Sequence, residues 1–122
     1  MKLGFLTACL PGSTLAEVAG VAHRQGYTAL EVAAWPALGD RPFTATHIRA
    51  EELTDDDAGD ILAVADRYDL TLSSLAFYDN NLHPDPDERA AVNNHVRACI
   101  DAASRLGIPT VGPFVGRHPG RT

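Results

Sequence analysis

The chain has 122 residues, enough for one domain with a modest core and no more. Apolar residues make up 45% and charged residues 21%, an ordinary globular composition, and sixteen Asp and Glu against ten Lys and Arg leave a formal charge of −6. That balance lacks the electrostatic footprint of a nucleic-acid binder, and no apolar run approaches a membrane span. Pro11 and Gly12 break the short run after Lys2 too early for a signal peptide. Cys9 and Cys99 are too far apart in sequence for a disulfide scaffold or a zinc knuckle, so the expectation is a bacterial-type cytoplasmic protein.

Residues 2–9 read as a first strand, stopped by Pro11-Gly12-Ser13. Thr14 and Glu17 have capping-box spacing, and Leu15, Val18, Ala19 and Ala22 follow at helical period up to a terminating Gly26. Residues 29–34 form a second strand interrupted by Glu31 and closed by Trp35-Pro36. A polar, irregular stretch runs from 37 to about 52. Thr54 with Asp57 is another capping pair, and Ala58, Ile61, Leu62 and Ala65 make the next helical stripe, ending at Tyr68. Residues 70–77 are a third strand and 78–87 a loop rich in Asn, Asp and Pro. Pro86 and Asp87 suit the start of a third helix, whose face is Val92, His95, Val96, Cys99, Ala103 and Leu106 and whose end is Gly107. Residues 108–115 read as a fourth strand before a polar tail.

The pattern is βαβαβαβ, which predicts right-handed crossovers and a parallel sheet. An open sheet with helices on both faces and a barrel with helices outside both satisfy it. The first turn, Cys9-Leu10-Pro11-Gly12-Ser13, has neither a dinucleotide fingerprint nor a P-loop.

In such folds the working groups collect beyond the C-terminal strand ends. Those ends supply Thr7 and Cys9, then Glu31 and Trp35, then Tyr78, Asn80, Asn81 and His83, then Arg117 and His118, while the second loop adds Asp40, Arg41 and His47. Glu31 is the sharpest signal. A carboxylate inside Ala-Leu-Glu-Val-Ala-Ala needs a partner or a ligand, and it reads equally as a substrate-hydroxyl acceptor or as half of an ion pair with an arginine. His83 and His47 are candidate ligands of metal or hydroxyl, or braces of their loops. His95 on an apolar face and His23 at a helix end read as structural. Cys9 has no adjacent base in sequence and Cys99 is a small core residue. Trp35, Phe77 and Tyr78 offer rings to a sugar face or to the core, and Arg117 offers a cation to an anionic group. Asp55-Asp56-Asp57 is a helix start, not a metal site. Glu31, His47 and His83 have no metal-ligand spacing, so the catalytic case within these residues is thin.

The segments Lys2-Leu3-Gly4-Phe5-Leu6-Thr7-Ala8-Cys9, Ala29-Leu30-Glu31-Val32-Ala33-Ala34-Trp35-Pro36, Leu75-Ala76-Phe77-Tyr78-Asp79-Asn80-Asn81-Leu82 and Phe114-Val115-Gly116-Arg117 together resemble the sugar phosphate isomerase/epimerase group, the xylose isomerase-like barrel proteins. The resemblance implies a (β/α)₈ TIM barrel of which this chain is the N-terminal half: a single domain over residues 1–122 with four strands and three helices. It implies action on a small sugar or polyol by metal-assisted proton transfer, with Mn, Mg, Co or Zn in complete members. The ligands there come from the later strands, so no metal, no other cofactor and no catalytic residue is expected in this chain. Glu31, Trp35, Tyr78, Asn80, His83 and Arg117 would be wall and orientation residues around substrate.

Four strands cannot close a barrel, so the open edges invite a second copy or a complementary half-barrel. A fragment of a longer enzyme, a truncated product and an assembling half-barrel all fit, and the end at Thr122 favours truncation. The alternative function is a catalytically silent half-barrel with a structural or oligomerisation role. A DNA-repair endonuclease of the related branch is disfavoured by the acidic charge.

Overall fold

The computed structural model describes residues 1–37 and 43–120, so Asp40 and Arg41 lie outside the described residues. Four strands, β1 (Gly4–Leu6), β2 (Ala29–Ala33), β3 (Thr71–Phe77) and β4 (Val111–Pro113), alternate with three helices, α1 (Leu15–Arg24), α2 (Asp55–Arg67) and α3 (Pro86–Leu106). All neighbouring strands pair in parallel and their order is β1-β2-β3-β4. This order decides between the two architectures. A doubly wound sheet reverses its strand order to place helices on both faces, whereas here the order never reverses. α1 packs beside α2 and α2 beside α3, as helices along one face do. The arrangement is half of a (β/α)₈ barrel.

Each helix begins as its sequence dictates. Thr14 accepts from the Glu17 amide at 3.2 Å while the Glu17 carboxylate takes the Thr14 amide at 2.7 Å. Thr54 and Asp57 repeat this box on α2 at 3.1 and 3.0 Å. On α3 the cap is Asp85, one residue before the expected start, with Pro86 in the first turn where a missing N–H costs nothing. Gly107 closes α3 in the left-handed region at φ 67°. The core between helices and sheet holds Val18, Leu30, Val32, Leu75, Phe77 and Val92. On α2 the expected stripe is narrower than its period implies, because Leu62 is exposed and only Ala58 and Ala65 are fully buried.

Two strands are shorter than their apolar runs suggest. Residues 7–9 wind into a 3₁₀ turn, and the Ala33 amide bonds the Thr7 hydroxyl at 2.8 Å instead of a β1 carbonyl. β4 has Pro113 as its last residue, which lacks the N–H that another ladder bond would use.

Candidate functional site

The candidate site lies on the inner face of the sheet, from the middle of β2 to the residue after β3. Glu31 lies in β2 between buried Leu30 and Val32, and it is itself only half-buried. Along β2 and β3 the register jumps between Leu30 and Glu31: Leu30 faces Leu72, but Glu31 faces Ser74. Ser73 is the extra residue, and its hydroxyl bonds the Leu30 carbonyl at 3.0 Å. Such a bulge re-aims the neighbouring side chains. Glu31 lines an open groove on the inner sheet face with Lys2, Gly4, Leu6, Thr71 and Ser73.

Glu31 finds its partner at the end of β3. The Tyr78 hydroxyl donates to Glu31 Oε1 at 2.5 Å. Burial first, and the Glu31 carboxylate second, push the Tyr78 phenol up to about 12, so it stays a donor at all ordinary pH. Among the described residues the partner of Glu31 is thus a neutral O–H rather than an arginine. Tyr78 is fixed on both sides, with Phe114 stacked at 4.7 Å and 27° and Trp35 edge-on at 5.8 Å. Phe114 is 56% exposed and Trp35 only 6%. Trp35 is packed between Phe43, Phe77 and Tyr78, because the chain doubles back and ties Ala45 and Thr46 to its backbone. Phe114 and Phe43 are the exposed rings of this cluster.

The other candidates frame this pair. Asn80 spends both ends of its amide on Arg117, donating to the carbonyl and accepting from the N–H, each at 2.8 Å. Asn81 donates to the Phe114 carbonyl at 2.5 Å. These two amides hold the segment after β4 against the β3–α3 loop, and so hold Phe114 on Tyr78. Arg117 is exposed. His83 accepts from the Asp85 amide at 3.2 Å and its carbonyl accepts from Arg89, so it braces the start of α3.

His47 sits in a closed network. The Thr7 hydroxyl accepts from Ala33 and so donates to His47 Nδ1 at 2.8 Å, leaving Nε2–H for the Leu10 carbonyl at 3.1 Å. His95 is buried, donates from Nε2 to the Ala34 carbonyl at 2.6 Å and lies 3.0 Å from Glu51 through Nδ1. Cys99 is buried beside it with its thiol pushed up to about 12, which makes it inert. A roomier cleft lies elsewhere, between residues 46–53 and α2, with Glu52, Asp57 and Asp60 in its wall. The Asp57 carboxylate there is already held by the Thr54 hydroxyl and amide, which keep it below the usual range.

Among the described residues, no three His, Cys, Asp or Glu side chains stand together as a metal site requires. These residues do not make a divalent metal centre on their own.

Residues 19–122 match the family of xylose isomerase-like TIM barrels, and the chain belongs to that family. In fold it is similar to a xylose isomerase domain protein from Planctomyces limnophilus, known from a crystal structure, with a TM-score of 0.66 and 17% identity. That likeness, which shows the fold alone, covers 98% of this chain and 42% of the other. No curated protein matches the chain in sequence. No helix among the described residues is long and apolar enough to cross a membrane.

Proposed function

We propose that this half-barrel supplies the hydroxyl-binding wall of a sugar isomerase or epimerase site. The observation that carries the reading is the Glu31–Tyr78 bond on the inner sheet face. A carboxylate with one oxygen hydrogen-bonded by a phenol keeps its charge, and its Oε2, which has no hydrogen bond among the described residues, can accept from a sugar hydroxyl. Phe114, stacked on Tyr78 and exposed, offers a ring face to sugar C–H groups. Trp35 stiffens Tyr78 from behind. Asn80 and His83 shape the loop, and Arg117 at the same mouth suits the anionic end of a phosphorylated sugar.

In the complete enzyme the reaction is proton transfer beside a carbonyl, with a divalent metal (Mn, Mg, Co or Zn) supplying Lewis acidity. That step belongs to residues outside this half. The open edges at β1 and β4 are covered in the working assembly by a second copy or by a complementary half-barrel. Exposed Phe114 and Val115 beside β4 support that reading. Free Cys9 and Cys99 accord with a reducing cytoplasm. The second reading, a silent half-barrel with a structural role, draws on the same exposed edges.

A titration of the chain with D-xylose tests the first reading. Binding is expected, and E31Q weakens it roughly 10- to 100-fold, because a charged acceptor is lost. Equal binding by E31Q would assign the sugar to another site.

A further inference from the structure

His95 is buried on α3, only 3% exposed, and takes no part in the Glu31–Tyr78 site. Its ring joins three other elements. Nε2 lies 2.6 Å from the Ala34 carbonyl, just past the end of β2. Nδ1 lies 3.0 Å from Glu51 Oε1, on the short 3₁₀ turn Ala50–Glu52. The Phe77 ring of β3 meets it edge-on at 4.5 Å. A neutral imidazole has one N–H and one lone pair. Here both nitrogens face oxygens, and a carbonyl and a carboxylate only accept. Both bonds form only when the His95–Glu51 pair holds one proton more than a neutral ring beside a carboxylate. The Glu51 side chain is 58% exposed, so water solvates its charge and the extra proton sits on the ring. Burial opposes a charged ring, and two charge-assisted bonds offset it.

The ionisable neighbours leave this proton to the pair. Cys99, one turn further along α3, reaches the same Ala34 carbonyl at 3.9 Å. Burial first, and the Glu51 charge second, hold its thiol neutral up to about 12. Arg49 and Glu52 line the small cavity beside the ring, together with Trp35, and pair with each other at 3.4 Å. We propose that His95 and Glu51 form a pH-sensitive latch: as an imidazolium, His95 fastens the turn Ala50–Glu52 and the end of β2 to α3, and it releases the turn when the ring gives up its Nδ1 proton. The Glu51 bond is complete in mildly acid solution. It is lost as pH rises, when a bare Nδ1 lone pair faces a carboxylate. Trp35 follows Ala34 in sequence and lines the same cavity as His95, so its ring reports the state of the latch. The latch stands whether or not the chain binds a sugar.

The test follows the His95 ring nitrogens by NMR as pH is raised, in the wild-type chain and in E51Q, with tryptophan fluorescence read on the same samples. Trp35 is the chain's single tryptophan, so the emission is its own. The amide of E51Q can donate to Nδ1, and the ring there needs no second proton. The wild-type ring is expected to show both N–H groups at about pH 6 and to shed the Nδ1 proton at a higher pH than E51Q does. Trp35 emission is expected to change in step with that loss. A wild-type ring protonated on Nε2 alone at about pH 6 overturns the latch, and this readout needs no variant to fold. Loss of the proton in wild type at the same pH as in E51Q, or at a lower one, overturns it too. So does a Trp35 emission that stays constant while the proton leaves.

Discussion

Glu31 is the residue on which the site turns, and its environment explains why. A half-buried carboxylate among apolar neighbours needs a donor, and Tyr78 provides one at 2.5 Å. The need was legible in the string Ala-Leu-Glu-Val-Ala-Ala, but the partner was not. Tyr78 is 47 positions away, and the two meet across a sheet whose register jumps at Ser73, a bulge that no alternation pattern encodes. The same holds for Phe114, which acquires meaning only through its stacking on Tyr78. The pairing has a titratable consequence. The folded chain holds the Tyr78 proton to about pH 12, while an unfolded chain releases it near 10. Its contribution to stability is therefore complete below pH 10 and disappears as pH rises through about 12. In E31Q the phenol midpoint, followed by tyrosine Cζ resonances, falls toward 10 without reaching it, because burial is the larger cause. An unchanged midpoint would show that Glu31 does not act on Tyr78.

At the scale of elements, helix starts were the most legible features and strand ends the least. Capping boxes are local: Thr14 with Glu17 and Thr54 with Asp57 bond as their spacing requires. Removing the α1 cap with T14A is expected to cost about 1 kcal/mol in denaturant unfolding, with no change in the slope of the transition. A loss near zero would mean that tertiary packing alone holds the first turn. Strands end where pairing stops, and pairing is not local. The apolar runs at 2–9 and 108–115 continue past the point where a Thr7 hydroxyl or a proline takes over from the ladder. His47 illustrates the same limit: its loop position left ligand and brace both open, and the ring nitrogens face Thr7 and Leu10 as a brace would.

At the scale of the whole molecule, the sequential parallel order β1-β2-β3-β4 makes half of a barrel wall, and among the described residues no further strand pairs with β1 or β4. The βαβ alternation was readable from periodicity, whereas the choice of barrel over open sheet rested on the family resemblance alone, because both place one dry face on each helix. Phe114 and Val115 beside the β4 edge are 56% and 80% exposed. Self-association is therefore expected by light scattering, with V115K shifting the population toward monomer. A monomer at all concentrations would leave the edges to a complementary half-barrel. The central claim is that the inner sheet face binds a sugar through Glu31 and Tyr78. An amide-resolved NMR titration with D-xylose tests it most directly. The account predicts saturable shifts centred on Glu31, Tyr78 and Phe114, with a midpoint roughly 10- to 100-fold higher in E31Q. Shifts clustered instead around His47, Asp57 and Asp60, or no shifts at all, would contradict it.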